Sequence, residues 1–204
     1  THNLESFAKA GFGGLHIIPI YGAKGYESAF LSFLGPAWKQ KFAFVLKEAK
    51  RLHLGIDMTL GTGWPLGGPT INASDAAKRY QIESIQIAAN QSYKLSAADV
   101  QAASVFVDGN FEQELISAHV SQFTAGPKGA TIYVLVQKGT GQQVKRAAPG
   151  GEGLVMDHFS KSAFEHYRGE FVPLLKQAHA PLRALYNDSY EVYGANYTPK
   201  LFEA

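Results

Sequence analysis

The polar run Asn187-Asp188-Ser189-Tyr190-Glu191 puts two carboxylates directly after the apolar stretch 182–186. That stretch reads as a buried strand, and chains built of parallel strands gather their function at strand carboxyl ends. Paired carboxylates at such a place suit glycoside hydrolysis. One acid protonates the leaving oxygen while another carboxylate activates water or attacks. If extended geometry continues past the strand, Glu191 and Ser189 share a face and Asp188 lies opposite. The competing reading is a turn capped by Asp188 with Glu191 solvated.

Three further strand ends carry chemistry-bearing residues: Tyr21-Gly22, Thr62-Gly63-Trp64 and Asp157-His158. The loop Gly61-Thr62-Gly63-Trp64-Pro65-Leu66-Gly67-Gly68-Pro69 resembles a phosphate cradle only in glycine content. Pro65 removes an amide donor, no Lys-Ser/Thr closes the loop, and Leu66 stands where a dinucleotide fingerprint needs its third glycine. A rigid loop presenting Trp64 to a sugar ring fits as well as a Trp buried in the fold. Asp157-His158 reads as a hydrogen-bonded pair, half of a metal site, a clamp on sugar hydroxyls, or a helix-entry motif before the cap Ser160. His16, inside an apolar strand, reads as a satisfied core residue. Glu152 lies among Gly150, Gly151 and Gly153 and is free to reach a ligand or solvent.

The elements that must position these residues alternate in type. Asn3 caps a short first helix that stops at Gly11, and 15–20 is a short β-branched run suited to a strand buried on both faces. Gly35-Pro36 opens a helix with Trp38, Phe42, Val45, Ala49 and Leu52 on one face, ended by Leu54-Gly55. Stretch 56–60 is a second buried strand. Segments 80–89, 103–107, 111–116 and 130–138 alternate apolar and polar residues as antiparallel strands do, and Asp108-Gly109 is a hairpin signal. After the break at 147–153 come a short apolar run at 154–156, a Ser160-capped helix with Phe164, Tyr167, Phe171 and Leu174 inward, the strand 182–186, and a helix starting at Thr198-Pro199. Strands alternating with helices imply parallel βαβ units. The expected fold is α/β, a partial (β/α)8-barrel, with a barrel portion at 1–79, an inserted antiparallel β-rich segment at 80–147 and a second barrel portion at 148–204.

The 204 residues are 46% hydrophobic and 18% charged, ordinary for a globular chain with a sizeable core. A formal net charge of +2, with no basic run longer than Lys145-Arg146, argues against nucleic acid as a partner. The absence of cysteine excludes disulfides and thiolate chemistry. No run approaches the roughly 20 apolar residues of a membrane span, and no leader pattern is visible. Asn-x-Ser/Thr matches at Asn72, Asn90, Asn187 and Asn196 read as coincidence.

Four blocks resemble one family. Gly13-Gly14-Leu15-His16-Ile17-Ile18-Pro19-Ile20-Tyr21-Gly22 is similar to the second-strand segment of glycoside hydrolase family 106, and Gly63-Trp64-Pro65-Leu66-Gly67-Gly68-Pro69 to its Gly-Trp loop, after a helix end at Glu48 to Leu52. The run from Val144-Lys145-Arg146 to Asp157-His158-Phe159-Ser160, and that from Asn187 to Pro199, resemble two further blocks, in the family's order. The resemblance implies a (β/α)-barrel that releases α-L-rhamnosyl residues from plant-derived glycans with inversion, in a bacterial periplasmic or secreted setting. It also implies a calcium ion near the site and no organic cofactor. By position Glu191 would be the general acid. From the chemistry of the residues themselves, its pKa is expected to be raised by neighbouring aromatics, and Tyr21, Trp64, Asp157, His158 and Asp188 are expected to bind the sugar. Trp64 and Glu191 would face one cleft, and Asp188 would bind a hydroxyl or a hard cation. The family's first barrel strand is expected upstream of Thr1 and its catalytic base beyond Ala204. The chain alone is therefore expected to be inactive and to self-associate through open edges. The other readings are a non-catalytic glycan-binding segment using Trp64 and Tyr21, and a structural segment of a glycan-uptake assembly.

Overall fold

The structure, a computed structural model, describes residues 1–95, 100–116, 120–177, 182–199 and 201. In chain order the helices are α1 (His2–Lys9), α2 (Pro36–Arg51), α3 (Lys161–Gly169) and α4 (Phe171–Gln177). The strands are β1 (Gly14–Ile17), β2 (Gly55–Thr59), β3 (Gly67–Gly68), β4 (Lys78–Ile87), β5 (Ser92–Lys94), β6 (Val100–Val107), β7 (Asn110–Glu114), β8 (Gln122–Thr124), β9 (Ala130–Gly139), β10 (Leu154–Val155) and β11 (Ala184–Tyr186). They fall into two units. The first is Thr1–Ala77 with Gly141–Tyr193, and the second Lys78–Thr140 with Gly194–Ala204.

In the first unit α2 begins as its sequence requires, with Gly35 extended before Pro36 at the first helical turn. Phe42, Leu46 and Ala49 bury one face. The helix stops two residues earlier than Gly55 suggests. His53 itself takes the left-handed conformation (φ 57°). The amides of His53 and Leu54 then donate to the carbonyls of Lys50 and Ala49 at 3.2 and 2.9 Å, a Schellman closure with apolar Leu54 folded back on the core. Gly55 is thereby released to start β2.

β2 is the centre of a three-stranded sheet, β1-β2-β11, parallel on both sides. Ile56 and Met58 point to one face and join Phe42, Leu46, Tyr167, Phe171 and Leu174 in the core. The register places His16 beside Asp57 and Tyr186 beside Thr59, so these four side chains share the other face. Gly14 and Gly55 are paired neighbours, and a Cβ on either would meet the Arg183 side chain at 2.9 to 3.0 Å. Arg183 lies in that slot and forms a two-pronged ion pair with Asp57, at 2.6 and 2.9 Å.

The expected partial (β/α)8-barrel is not what forms. Among the described residues three strands are parallel, no barrel closes, and the other strands lie in small antiparallel sheets. The local reason is the segment 154–156. Read as a barrel strand, it instead pairs antiparallel with Gly67–Gly68, whose lack of side chains lets the two backbones approach. β11 does form, but Ala184, Leu185 and Tyr186 are exposed, because among the described residues it is an edge bonded only to β2. α3 starts at Ser160, whose Oγ accepts the Ala163 amide at 3.2 Å. Tyr167 is buried on that helix while Phe164 turns outward. Residue 200 and residues 202–204, on which most of the expected last helix falls, lie outside the described residues. No described helix is long and apolar enough to cross a membrane.

The second unit is an antiparallel sheet, β4-β9-β6-β7, with the pair β5–β8. Ala130, Ile132, Val134 and Val136 alternate inward along β9 and pack with Val105, Leu115 and Phe123. Asp108 and Gly109, at φ 50° and 80°, make the tight turn joining β6 to β7. The last stretch of chain belongs to this unit. Tyr197 is buried and donates to Gln101 Oε1 at 2.8 Å, and Asn196 Oδ1 accepts the Tyr80 amide at 3.0 Å.

Candidate functional site

The site residues of the first unit are organised by two segments, the loop 61–68 and the stretch 142–146. Tyr167, buried on α3, donates to the Leu60 carbonyl at 3.1 Å where the loop leaves β2. Burial drives its phenol pKa upward, so it stays a neutral donor. Thr62 Oγ1 accepts the Ala148 amide at 2.7 Å. Gly63 has φ 58°, and a Cβ there would lie 1.9 Å from the Lys145 carbonyl. Trp64 exchanges both backbone hydrogen bonds with Lys145, at 3.1 and 2.7 Å, and precedes a cis peptide to Pro65. The amides of Gly61, Gly63 and Trp64 all donate to backbone carbonyls. They are therefore engaged and not free to cradle an anion, which agrees with the argument from Pro65.

Lys145 is the hinge of the site. Its backbone holds Trp64, and its ammonium donates to Glu191 Oε2 and, at 3.0 Å, to the Tyr193 hydroxyl. The same ammonium lies 4.6 Å from the centre of the Tyr193 ring. Glu191 also accepts from Ser189 Oγ and Tyr193 OH, each at 3.2 Å. Gln142 fixes the backbone beneath, donating to the Glu191 carbonyl at 2.6 Å and accepting the Tyr193 amide at 2.7 Å. The Lys145 hydrogen bond, ahead of partial burial acting the other way, holds the Glu191 carboxyl below the usual carboxylate range. Lys145 is raised in turn, by Glu191 first and Tyr193 second. The raised pKa expected for Glu191 is thus reversed: a cation reached the carboxylate where aromatic desolvation was expected.

Tyr21 borders the same stretch. Its amide donates to the Arg146 carbonyl at 3.1 Å, its exposed ring lies 5.4 Å from the Arg146 guanidinium carbon, and Arg146 itself has φ 56°. Beside it, past the end of β1, opens an apolar cleft of about 340 Å³ lined by Ile18, Pro19, Ile20, Phe30, Trp38 and Pro149 among others.

Asp157 and His158 follow β10. Asp157 is 2% exposed; its Oδ1 accepts the Phe159 amide at 3.0 Å, and among the described residues its Oδ2 has no hydrogen-bond partner. His158 Nδ1 lies 2.8 Å from the Met156 carbonyl, while Nε2 is buried without a partner among the described residues. Tyr190 meets the His158 ring edge-to-face, with centroids 4.9 Å apart. Burial lowers the His158 pKa and, together with the Asp157 charge, raises that of Tyr190. Asp188 and Glu152 are exposed.

His16 is not a core residue. It is exposed on the polar sheet face, with Nε2 3.0 Å from Thr59 Oγ1 and its ring 4.9 Å from that of Tyr186. Asp57, Thr59, Arg183, Lys145 and Gln142 were missed by sequence reasoning. The signal for the first two was there: Ile56-Asp57-Met58-Thr59 alternates with period two, the mark of a strand buried on one face. A calcium ion calls for roughly six to eight converging oxygens. Among the described residues no three carboxylate or histidine side chains gather as such a group, so no step is assigned to a cation.

The profile of glycoside hydrolase family 106, alpha-L-rhamnosidase, matches residues 1–137. No curated protein matches the chain. Among solved structures, the rhamnosidase from Novosphingobium sp. PP1Y is similar in fold, with a TM-score of 0.72 at 17% identity over 98% of this chain. This chain spans 38% of that one. The family match covers β1, α2, the loop bearing Trp64 and nearly all of the antiparallel sheet, and the similarity in fold extends over Lys145, Asp157 and Glu191. The chain belongs to the alpha-L-rhamnosidases of glycoside hydrolase family 106.

Proposed function

We propose that this chain supplies part of the sugar-binding and catalytic face of an inverting α-L-rhamnosidase acting on plant-derived glycans outside the cytoplasm, in the periplasm or secreted. The observation that carries the reading is the Lys145–Glu191–Tyr193 constellation beside Trp64. A carboxylate held ionised by an ammonium is a poor proton donor; it is free of its proton at neutral pH and can accept one, though it is a weaker base than an unpaired carboxylate. Glu191 therefore fits the base of an inverting reaction, taking a proton from the water that attacks the anomeric carbon. The acid that protonates the leaving oxygen is supplied from elsewhere in the parent protein. Trp64 and Tyr21 offer ring faces to the C–H face of the sugar, and exposed Asp188 offers a carboxylate to a hydroxyl. With one carboxylate of the pair, the chain alone binds rhamnoside without turning it over.

Titration with methyl α-L-rhamnoside, followed by tryptophan fluorescence, tests binding; release of an aryl group from an aryl α-L-rhamnoside tests turnover. Saturable binding lost in Trp64→Phe, without turnover, is the expected result. Robust turnover abolished by Glu191→Gln would sink the missing-partner reading. A second reading, a non-catalytic glycan-binding segment, is favoured by the same pairing, since Glu191 already accepts from three side chains. It predicts that restoring the rest of the parent protein adds no activity dependent on Glu191.

A further inference from the structure

Three buried side-chain polar atoms lack partners among the described residues: Asp157 Oδ2, His158 Nε2 and Trp64 Nε1. Buried polar atoms are ordinarily paired, and each exception calls for an explanation. Two of the three belong to adjacent residues, and their chemistry can be assigned. The Met156 carbonyl only accepts, so His158 Nδ1, 2.8 Å away, carries the proton. A neutral imidazole protonated at Nδ1 presents a bare lone pair at Nε2. Burial, which disfavours the charged ring, keeps it neutral. Asp157 Oδ1 is already satisfied by the Phe159 amide, so Oδ2 presents lone pairs. The pair therefore offers two unsatisfied acceptors and no donor.

The backbone holds these acceptors in place. Asp157 donates its amide to the Asp75 carbonyl at 2.7 Å, and its carbonyl accepts the Ser160 amide at 3.2 Å. The ladder Gly68–Leu154, Gly67–Val155, with the Met156 amide on the Leu66 carbonyl, runs onward toward Trp64 on one strand and Asp157-His158 on the other. Tyr190, edge-on to His158, belongs to the segment that ends in Glu191. Thus the orphaned acceptors adjoin the residues of the proposed site.

We infer that Asp157 and His158 form a subsite that takes two hydroxyl protons from a neutral polyol, accepting one at Oδ2 and the other at Nε2. The inference rests on the sugar-binding reading of this site and adds its selectivity. Two acceptors without a donor favour neighbouring O–H groups and reject a sugar in which either is removed or capped as an ether. The cost of rejection is a buried acceptor left bare.

The test uses the 204-residue chain, with the imidazole nitrogens observed by ¹⁵N NMR. The free protein should show His158 protonated at Nδ1, and saturating methyl α-L-rhamnoside should move the Nε2 resonance upfield. Monodeoxy analogues complete the test. At least one should bind about tenfold or more weakly to the wild type, with that difference lost in His158→Phe. Wild-type NMR keeps the proposal testable should His158→Phe fail to fold. If methyl α-L-rhamnoside binds, quenching Trp64, but Nε2 is unmoved and all analogues bind alike, this inference fails and the wider reading stands. If Nε2 is held throughout by a bound water that the sugar does not displace, the orphaned atoms are structural and the inference fails. If no rhamnoside binds, both fail.

Discussion

Lys145 and Glu191 are joined by an ion pair, and the same Lys145 is backbone-paired with Trp64, so one residue sets both the charge of the carboxylate and the position of the indole. Replacing Lys145 by Met keeps the backbone pairing and removes the cation. The Glu191 carboxyl should then titrate at higher pH, read from its side-chain ¹³C resonance. Glu191 is lowered in the folded protein, so its stabilisation is present above the ordinary value near 4.5 and is lost as pH falls through the folded one. Lys145 is raised, so its contribution is present below 10.5 and lost as pH rises through its folded value. The pair is thus intact across the neutral range, and Lys145→Met should reduce the Glu191 component of acid unfolding, leaving what the Tyr193 and Ser189 hydrogen bonds contribute. An unshifted Glu191 would refute the electrostatic account.

Gly63 and Gly109 both have positive φ, but a Cβ meets the Lys145 carbonyl at 1.9 Å in the first and nothing within 4 Å in the second. Gly109→Ala should cost only the backbone term, about 1 kcal/mol. Gly63→Ala adds a backbone collision and should cost about 3 kcal/mol. Urea unfolding, followed by Trp fluorescence for Gly63→Ala and by circular dichroism for Gly109→Ala, separates them. Equal costs would mean the loop yields more readily than its packing indicates.

His158 should make the protein acid-sensitive below neutrality. Its folded pKa is lowered, by burial first, against the opposing Met156 carbonyl and Asp157 charge. The unfolded chain therefore binds the proton more readily. Stability is unaffected above the ordinary value of 6.5, declines as pH falls below it, and levels off below the folded pKa. His158→Gln should flatten the curve of unfolding free energy between pH 7 and the acid limb; an unchanged curve would show that His158 opens to solvent before it protonates.

Self-association is the outcome expected from the sheet edges. Among the described residues β1 and β11 pair only with β2, and Ile18, Leu185 and Tyr186 are exposed there. Light scattering should show mass rising with concentration, and Leu185→Lys should return the chain toward monomer. A strict monomer over a wide concentration range contradicts this.

How much of this was legible in the sequence depended on whether the signal was local. Ser160 as a cap, Asp108-Gly109 as a turn and the alternation of 130–138 are set by neighbours in sequence, and each could be read. The fate of 154–156 could not. A three-residue apolar run serves a parallel or an antiparallel neighbour equally, and the choice was made by Gly67 and Gly68, remote in the chain. That Glu191 follows a strand was legible, but its electrostatics were not. Its partner Lys145 lies 46 residues away and looked like half of an ordinary basic pair. His16 was misjudged for the opposite reason: its strand looked apolar on both sides, and only the alternation in β2 showed that one face was polar.

The Gly14–Gly55 slot that admits Arg183 has a consequence for how the parallel strands find one another. Sliding β11 by one residue against β2 would carry its side chains to the opposite face. Arg183 would then lose Asp57, and the glycine slot would face a side chain it was not shaped to take. The ion pair and the two bare Cα positions together act as a key in a lock on strand alignment. Their worth is in discriminating one pairing from its neighbours, more than in adding to the stability of the right one.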